Sequence, residues 1–420
     1  MKNKRIVIPV KIFIFVVCML LVNKIILLCT YERSIYAGTM EEIYETNDID
    51  VLLLGSSHTD VSFDEKVLSD KLHKNVFNAG TPVQKPDVSY YILKEALKNN
   101  EIEKVYLDMY YYMYRENAKD RKNAQLEFVY IVTDEMKWSI DKVKFLLDAC
   151  PTESLIHGFV KGSRYATNLM DLKKFESIIK SADHHNIQEE NDGTSDVLSE
   201  NEYSICVSTG QDYQLKEENI SEYSYKYLEK MVELCKKENI ELVFMTTPMT
   251  DYQLSIIGDY DDYISNVRGF ADKMGVPYRD YNLCKPEILN IDEQSFSDIH
   301  HLNSSGARIF TEVFGQLEKG DLRYDECFFE TYEQKMREID PDCFGINVFW
   351  SEEGYWEIFP ICNQDIELKY EVVGAEENIE LFGERKSRFN AEEGTYVIKV
   401  ESDESLEISK QYQVSLSSMR

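Results

Sequence analysis

The sequence predicts an α/β fold, a parallel sheet wrapped by helices in a three-layer, flavodoxin-like arrangement, on the strength of three observations. Short apolar runs alternate with helical patterns from Asp48 onward. The first run, Val51-Leu52-Leu53-Leu54, is apolar at every position, as a strand covered on both faces requires, and it stops at Gly55-Ser56-Ser57. The last helical pattern, at 307–317, follows a polar turn that runs from Asp298 to Gly306. Residues with chemical potential thus fall at element ends, where open α/β sheets place their sites.

Taken in order, 51–54 is the first strand, 63–72 a helix and 76–79 the second strand. Residues 88–98 form a helix whose apolar face is Tyr91, Leu93, Ala96 and Leu97, and 104–106 opens the third strand. Tyr225, Leu228, Met231, Val232 and Cys235 recur at helical spacing before the fourth strand, 241–245. A helix around 263–274 precedes the fifth strand, 277–281, and the helix at 307–317 closes the unit.

Between about 115 and 215 the alternation breaks. Residues 128–131 and 143–147 look helical or partly buried, whereas 182–202 is polar, acidic and aperiodic. An excursion of this length on the site side of a sheet reads as a lid or a partner surface. After Gly320 the texture changes to short alternating runs, at 344–350, 355–361, 366–373, 379–382 and 396–400, as in a small antiparallel sandwich. Trp350, Tyr355, Trp356 and Phe359 read as core and edge residues of that sandwich, with a sugar-stacking platform as the sharper alternative.

The N-terminus is basic, Met1-Lys2-Asn3-Lys4-Arg5, and an apolar stretch interrupted by Pro9, Lys11, Asn23 and Lys24 runs on to about Cys29. Its length suits a bilayer crossing, with the basic end in the cytoplasm and the rest outside the cell membrane. No small-x-small cleavage site follows, which favours an uncleaved signal-anchor over a cleaved signal peptide. The expected organisation is an anchor over 1–30, a linker over 31–47, the α/β unit over 48–320 with its insertion, and the β domain over 321–420.

Composition narrows the partners. A formal net charge of -30 repels phosphate backbones, which argues against nucleic acid. Nine cysteines without a Cys-x-x-Cys pair argue against a zinc ribbon or a thioredoxin-like site. Cys235 reads as core, while a Cys327–Cys343 or Cys343–Cys362 bridge has proximity alone behind it. His184 and His185 have no third ligand at a sensible spacing and read as solvated loop, so neither a metal nor a cofactor is expected.

The chemistry gathers at two distant stretches. Gly55 permits a turn, and a following helix would aim its N–H groups at Ser56 and Ser57, a good seat for a nucleophile. A serine hydroxyl needs a base and oxyanion donors. In Asp298-Ile299-His300-His301 an acid precedes a histidine by three residues, so that Asp298 can accept from the His301 ring and fix its tautomer for Ser57.

Gly-Ser-Ser-His after the first strand, with Asp-x-x-His-Leu-Asn-x-x-Gly before the last helix, resembles the SGNH/GDSL hydrolase superfamily. The nearest look is to its membrane-anchored cell-surface acyltransferase-like branch, related to proteins of D-alanyl transfer and of alginate and peptidoglycan O-acetylation. The resemblance covers roughly 48–317. It implies Ser57 as nucleophile, His301 as base, Asp298 as its orienting acid, and the Ser57 and Gly80 amides as the oxyanion hole, with His58, Asn78, Tyr110 and His300 around them. His300 competes with His301 for the base, and the Leu-Asn-x-x-Gly continuation registers on His301. The family's Gly-x-Asn after the third strand is absent; Lys104-Val105-Tyr106-Leu107-Asp108 runs into Met109-Tyr110-Tyr111-Tyr112 instead. Missing one oxyanion donor typically costs ~10²–10³ in rate.

The function expected is therefore a membrane-anchored serine esterase or O-acyltransferase acting through an acyl-enzyme on an exported glycan or cell-wall polymer. Some relatives work with a multi-pass membrane O-acyltransferase. A simple carbohydrate or lipid esterase is one alternative, and a non-catalytic envelope scaffold or glycan-binding protein is another.

Overall fold

The computed structural model describes residues 2–30, 38–115, 121, 123–165, 203–209, 220–374, 380–382, 386–402 and 406–417. The acidic stretch at 182–202, with His184 and His185, lies outside them.

Strands β1 (Val51–Leu54), β2 (Val76–Asn78) and β3 (Lys104–Asp108) come first in the chain; β4 (Val207–Thr209) stands apart, and β5 (Glu241–Thr246) and β6 (Tyr278–Asp280) complete the first sheet. Its order is β2-β1-β3-β5-β6, with every neighbour parallel. Alternate side chains feed two cores. Leu52, Leu54, Val105, Leu107, Leu242 and Phe244 pack toward the helices Pro86–Ala96, Glu222–Glu238 and Tyr260–Met274. Val51, Leu53, Tyr106, Val243 and Met245 pack toward Glu65–Leu72 and Ser304–Lys319. The all-apolar composition of β1 follows from this double burial, each leucine contributing about 1.5–3 kcal/mol. The sheet flanked by helices on both faces is the expected α/β fold.

One expected helix is divided. Residues 63–72 are not continuous, because Phe63 is extended (φ -123, ψ 130) between Ser57–Ser62 and Glu65–Leu72. Asp64 caps the second helix, accepting from the Val67 amide at 3.0 Å, and Phe63 turns inward onto Phe310 and Phe314. The aromatic contact and the cap outweigh the helical run.

The insertion is largely helical where it is described, with Asn123–Glu135, Ile140–Ala149, Leu155–Phe159 and Gly162–Tyr165. Arg121 ties it to the α/β unit through a bidentate pair with buried Asp87, at 2.7 and 2.5 Å. It then supplies β4, which joins β7 (Cys343–Trp350) in parallel. The second sheet therefore draws on the insertion as well as the C-terminus, and it is not purely antiparallel as expected.

The C-terminal strands β8 (Trp356–Cys362), β9 (Leu368–Val373), β10 (Glu380–Phe382), β11 (Lys386–Phe389), β12 (Gly394–Ser402) and β13 (Ser409–Leu416) build two sheets, β10-β11-β8-β7-β4 and β13-β12-β9. Ile346, Val348, Ile358, Ile398, Val400 and Tyr412 share their core. Trp356 is buried there and donates its indole N–H to the Ala391 carbonyl, while Trp350 is 47% exposed at the edge and packs on it. Cys343 stands opposite Cys362 as a free thiol, and Cys327 lies in the α/β core instead.

At the N-terminus the helix Lys2–Thr30 contains an apolar span, Ile8–Leu28, with mean hydropathy 2.5.

Candidate active site

The site begins where β1 ends. Gly55 is required by close approach: a Cβ there would lie 2.1 Å from Thr59 Oγ1 and 2.6 Å from Asp108 Cβ. Its amide donates to Gln84 Oε1 at 3.2 Å, and its carbonyl accepts from Thr81. Ser56 then caps the short helix Ser57–Ser62. Ser57 is the first residue of that helix, so its N–H has no partner within it.

The second stretch folds onto the first. Asn303 caps Ser304–Lys319 by accepting from the Gly306 amide, and its Nδ2 donates to the Gln294 carbonyl at 2.6 Å. Gly306 has to be glycine, since a Cβ would sit 2.0 Å from the Ser295 carbonyl oxygen. The Leu-Asn-x-x-Gly pattern thus fixes the turn that carries Asp298, His300 and His301.

That turn delivers the expected array. Ser57 Oγ lies 2.8 Å from His301 Nε2 across 244 residues, and His301 Nδ1 lies 2.8 Å from Asp298 Oδ2. The other Asp298 oxygen accepts from the His300 and His301 amides at 2.9 and 2.8 Å. Burial alone would raise the Asp298 carboxyl, but the His301 ring hydrogen bond, the His300 amide and the two imidazoles hold it well below the usual carboxylate range. Asp298 stays ionised and acceptor-only, so the proton on His301 is kept at Nδ1 and Nε2 is left to accept from Ser57.

His58 does not approach as a base for its neighbour Ser57. It is buried, its ring packs 3.7 Å from the Tyr110 ring centroid, and its Nε2 lies 3.3 Å from His300 Nδ1. Burial, then the His301 and His300 charges, push its pKa well down, and burial lowers His300 too. Both are held as neutral imidazoles beside the Ser57–His301 pair. One ring nitrogen from each of His58, His300 and His301 lies within 4.8 Å of the other two, a donor type and spacing that suit a transition-metal ion.

The oxyanion positions differ from expectation in one respect. The Gly80 N–H donates to Asn78 Oδ1 at 3.0 Å, so this donor is engaged within its own loop. Asn78 in turn donates to the Thr59 and Asp60 carbonyls at 2.9 and 3.2 Å, clamping the loop after β2 to the helix Ser57–Ser62. Gly80 is there for contact: a Cβ would lie 2.6 Å from the Asp60 amide nitrogen. Tyr110 follows directly after β3 and Met109, but its ring lies on His58 and its hydroxyl is turned to that of Tyr111.

Asp60 is a residue that sequence reasoning missed. Burial, then the Glu65 charge, push its carboxyl up to about 6, with His301 pulling the other way. Its place in Ser57–Ser62, one turn past Ser57, was the available signal. A cavity of about 520 Å³ lies elsewhere, against Thr250, Asn282, Asp292 and the β sheets, and Ser57 and His301 do not line it. Its Lys335 and Lys410 are paired with Asp251 and Glu293, so among the described residues that line it neither cation is uncompensated.

No family model matches the chain, and no curated protein matches it. Solved structures do. A GDSL-like lipase from Bacteroides thetaiotaomicron is 10% identical, covering 69% of this chain and 100% of its own, with a TM-score of 0.32. The lipase/acylhydrolase from Enterococcus faecalis is 12% identical, covering 66% and 98%, with a TM-score of 0.31. A member of the lipolytic protein G-D-S-L family from Veillonella parvula is 12% identical, covering 64% and 97%, with a TM-score of 0.28. Likeness at these values carries no chemistry over to this chain, and the reading of the site rests on its own Ser57–His301–Asp298 array.

Proposed function

We propose that the protein is a serine esterase or O-acyltransferase, anchored in the cell membrane with its site outside, acting on an exported glycan or cell-wall polymer through an acyl-enzyme. The observation that carries this is the relay of two 2.8 Å contacts, Ser57 to His301 and His301 to Asp298. Ser57 Oγ attacks the acyl carbon while His301 Nε2 takes its proton; the imidazolium so formed is stabilised by Asp298. The tetrahedral oxyanion is received by the Ser57 N–H, with Gly80 joining if its bond to Asn78 is shared. Collapse expels the donor alcohol with the proton from His301. A hydroxyl of the acceptor, or water, then repeats the attack on the acyl-enzyme and regenerates Ser57.

A thin oxyanion hole makes a slow hydrolase, but transfer to an acceptor held in place gains from orientation. The apolar helix Ile8–Leu28 supports anchoring, and an anchor would hold the domain near a multi-pass O-acyltransferase partner without special affinity. The non-catalytic reading, a glycan-binding scaffold, draws on the engagement of Gly80 by Asn78 and the missing asparagine.

The test is turnover of an aryl acetate by the full chain in detergent, with and without an oligosaccharide acceptor. Release that depends on Ser57 and rises with acceptor, with acetyl appearing on the sugar, supports transfer. Ser57-dependent release indifferent to acceptor supports plain hydrolysis, and release unchanged in Ser57→Ala refutes the proposal.

A further inference from the structure

Among the described residues outside the N-terminal helix, four of the seven large exposed apolar side chains belong to the insertion, the others being Tyr112, Trp350 and Val373. Trp138 is 68% exposed, Ile140 74%, Leu147 49% and Ile156 53%, all within the helical part of the insertion. Ile140 and Leu147 are seven residues apart in the helix Ile140–Ala149, so they share a face. Trp138 stacks on Phe159 of the helix Leu155–Phe159, with ring centroids 6.4 Å apart, which brings the two helices to one surface. Exposed Lys137 and Lys144 flank the patch in a chain whose net charge is -30.

The same insertion also touches the apolar N-terminal helix. The Gly162 amide donates to Asn23 Oδ1 at 2.7 Å, and a Cβ on Gly162 would stand 2.5 Å from that oxygen, so the helix Gly162–Tyr165 sits directly against Lys2–Thr30. Asn23 lies within the apolar span Ile8–Leu28, about 8 Å from its far end at 1.5 Å per residue. An asparagine at that depth needs a partner in hydrocarbon, and the Gly162 amide is one. The short helix Gly162–Tyr165 is thereby held against the outer part of the span, and it follows directly on the helices that carry the patch.

We propose that the insertion helices dock on the outer surface of the membrane through Trp138, Ile140, Leu147 and Ile156, with Lys137 and Lys144 meeting anionic headgroups. Tryptophan and isoleucine at this position bury apolar area at the acyl boundary, while the lysine stems reach back to phosphate. The domain is then held at a fixed height and orientation over the bilayer rather than swinging from a single tether. The inference rests on Lys2–Thr30 being a membrane anchor.

The chain has three tryptophans, and the other two, Trp350 and Trp356, lie in the C-terminal sheets. The full chain is reconstituted into phosphatidylcholine–phosphatidylglycerol vesicles with brominated acyl chains, floated on a density gradient, and its tryptophan emission measured. Docking predicts that the chain floats, that its emission is quenched, and that the quenching disappears in Trp138→Phe and weakens in the double variant Ile140→Asn, Leu147→Asn with an unchanged circular dichroism spectrum. A chain that floats with Trp138 unquenched overturns docking and leaves the anchor standing; such a patch is free or covered by another protein. A chain that fails to float overturns both.

Discussion

Asp108 offers a quantitative test of how the site is built. It ends β3 at 2% exposure, directly under Gly55; one carboxyl oxygen accepts from the Thr247 amide at 3.2 Å and the other has no hydrogen-bond partner. Burial, only partly offset by the Thr247 and Tyr110 amides, pushes its pKa up to about 7. The unfolded chain has an ordinary aspartate near 3.9, so between pH 4 and 7 the unfolded state releases a proton that the folded state keeps. Stability therefore falls as pH rises through that window and is level above it. At about 1.36 kcal/mol per unit, roughly three units give about 4 kcal/mol, of which about 3 accrue between pH 5 and pH 8. Asp108→Asn keeps an acceptor for Thr247 and removes the ionisation. Relative to wild type, the variant gains about 3 kcal/mol more at pH 8 than at pH 5, read from urea unfolding of the full chain in detergent followed by circular dichroism. An equal difference at the two pH values would refute the reasoning.

Three further perturbations follow from the same geometry. Arg121→Ala leaves the Asp87 charge in the core without its cation, with the Tyr223 hydroxyl still donating, and costs about 3–5 kcal/mol of unfolding free energy by urea titration, whereas Arg121→Met with Asp87→Leu costs far less. Ionising Asp60 beside His301 favours the imidazolium formed during attack, so the rate rises through pH 6, and Asp60→Asn abolishes that step in the pH profile of kcat/KM. Gly306→Ala forces the turn off the Ser295 carbonyl, costing about 1–3 kcal/mol of stability and most of the activity, measured by thermal unfolding and ester turnover.

The array itself was legible because its parts are local. The all-apolar β1 with its glycine exit and the Asp298–His301 spacing each encode one half of the geometry, and Asn303 with Gly306 sets the turn. The parallel sheet was legible for a similar reason: its inner strands β1, β3 and β5 carry apolar runs buried on both faces, whereas the edge strands β2 and β6 are short and partly polar. What was not legible depends on contacts between distant segments. The Asn78 side chain chooses the Gly80 amide through rotamer and loop geometry that sequence does not show. Phe63 leaves the helical pattern for a cluster with Phe310 and Phe314. Strand β4 joins β7 from more than a hundred residues away, with only three residues to announce it. Strand β13 alternates buried Tyr412, Val414 and Leu416 with polar residues, yet Ser409-Lys410-Gln411 hides its start.

The central claim is that Ser57 is activated by His301 and Asp298. The most direct measurement is reaction of the full chain with a fluorophosphonate, read by intact mass and peptide mapping beside Ser57→Ala and His301→Ala. The account predicts one adduct, on Ser57, absent from Ser57→Ala and at least a hundredfold slower to form in His301→Ala, on the order expected for loss of a general base. A folded wild-type chain that takes no adduct, or an adduct elsewhere that survives Ser57→Ala, would contradict it.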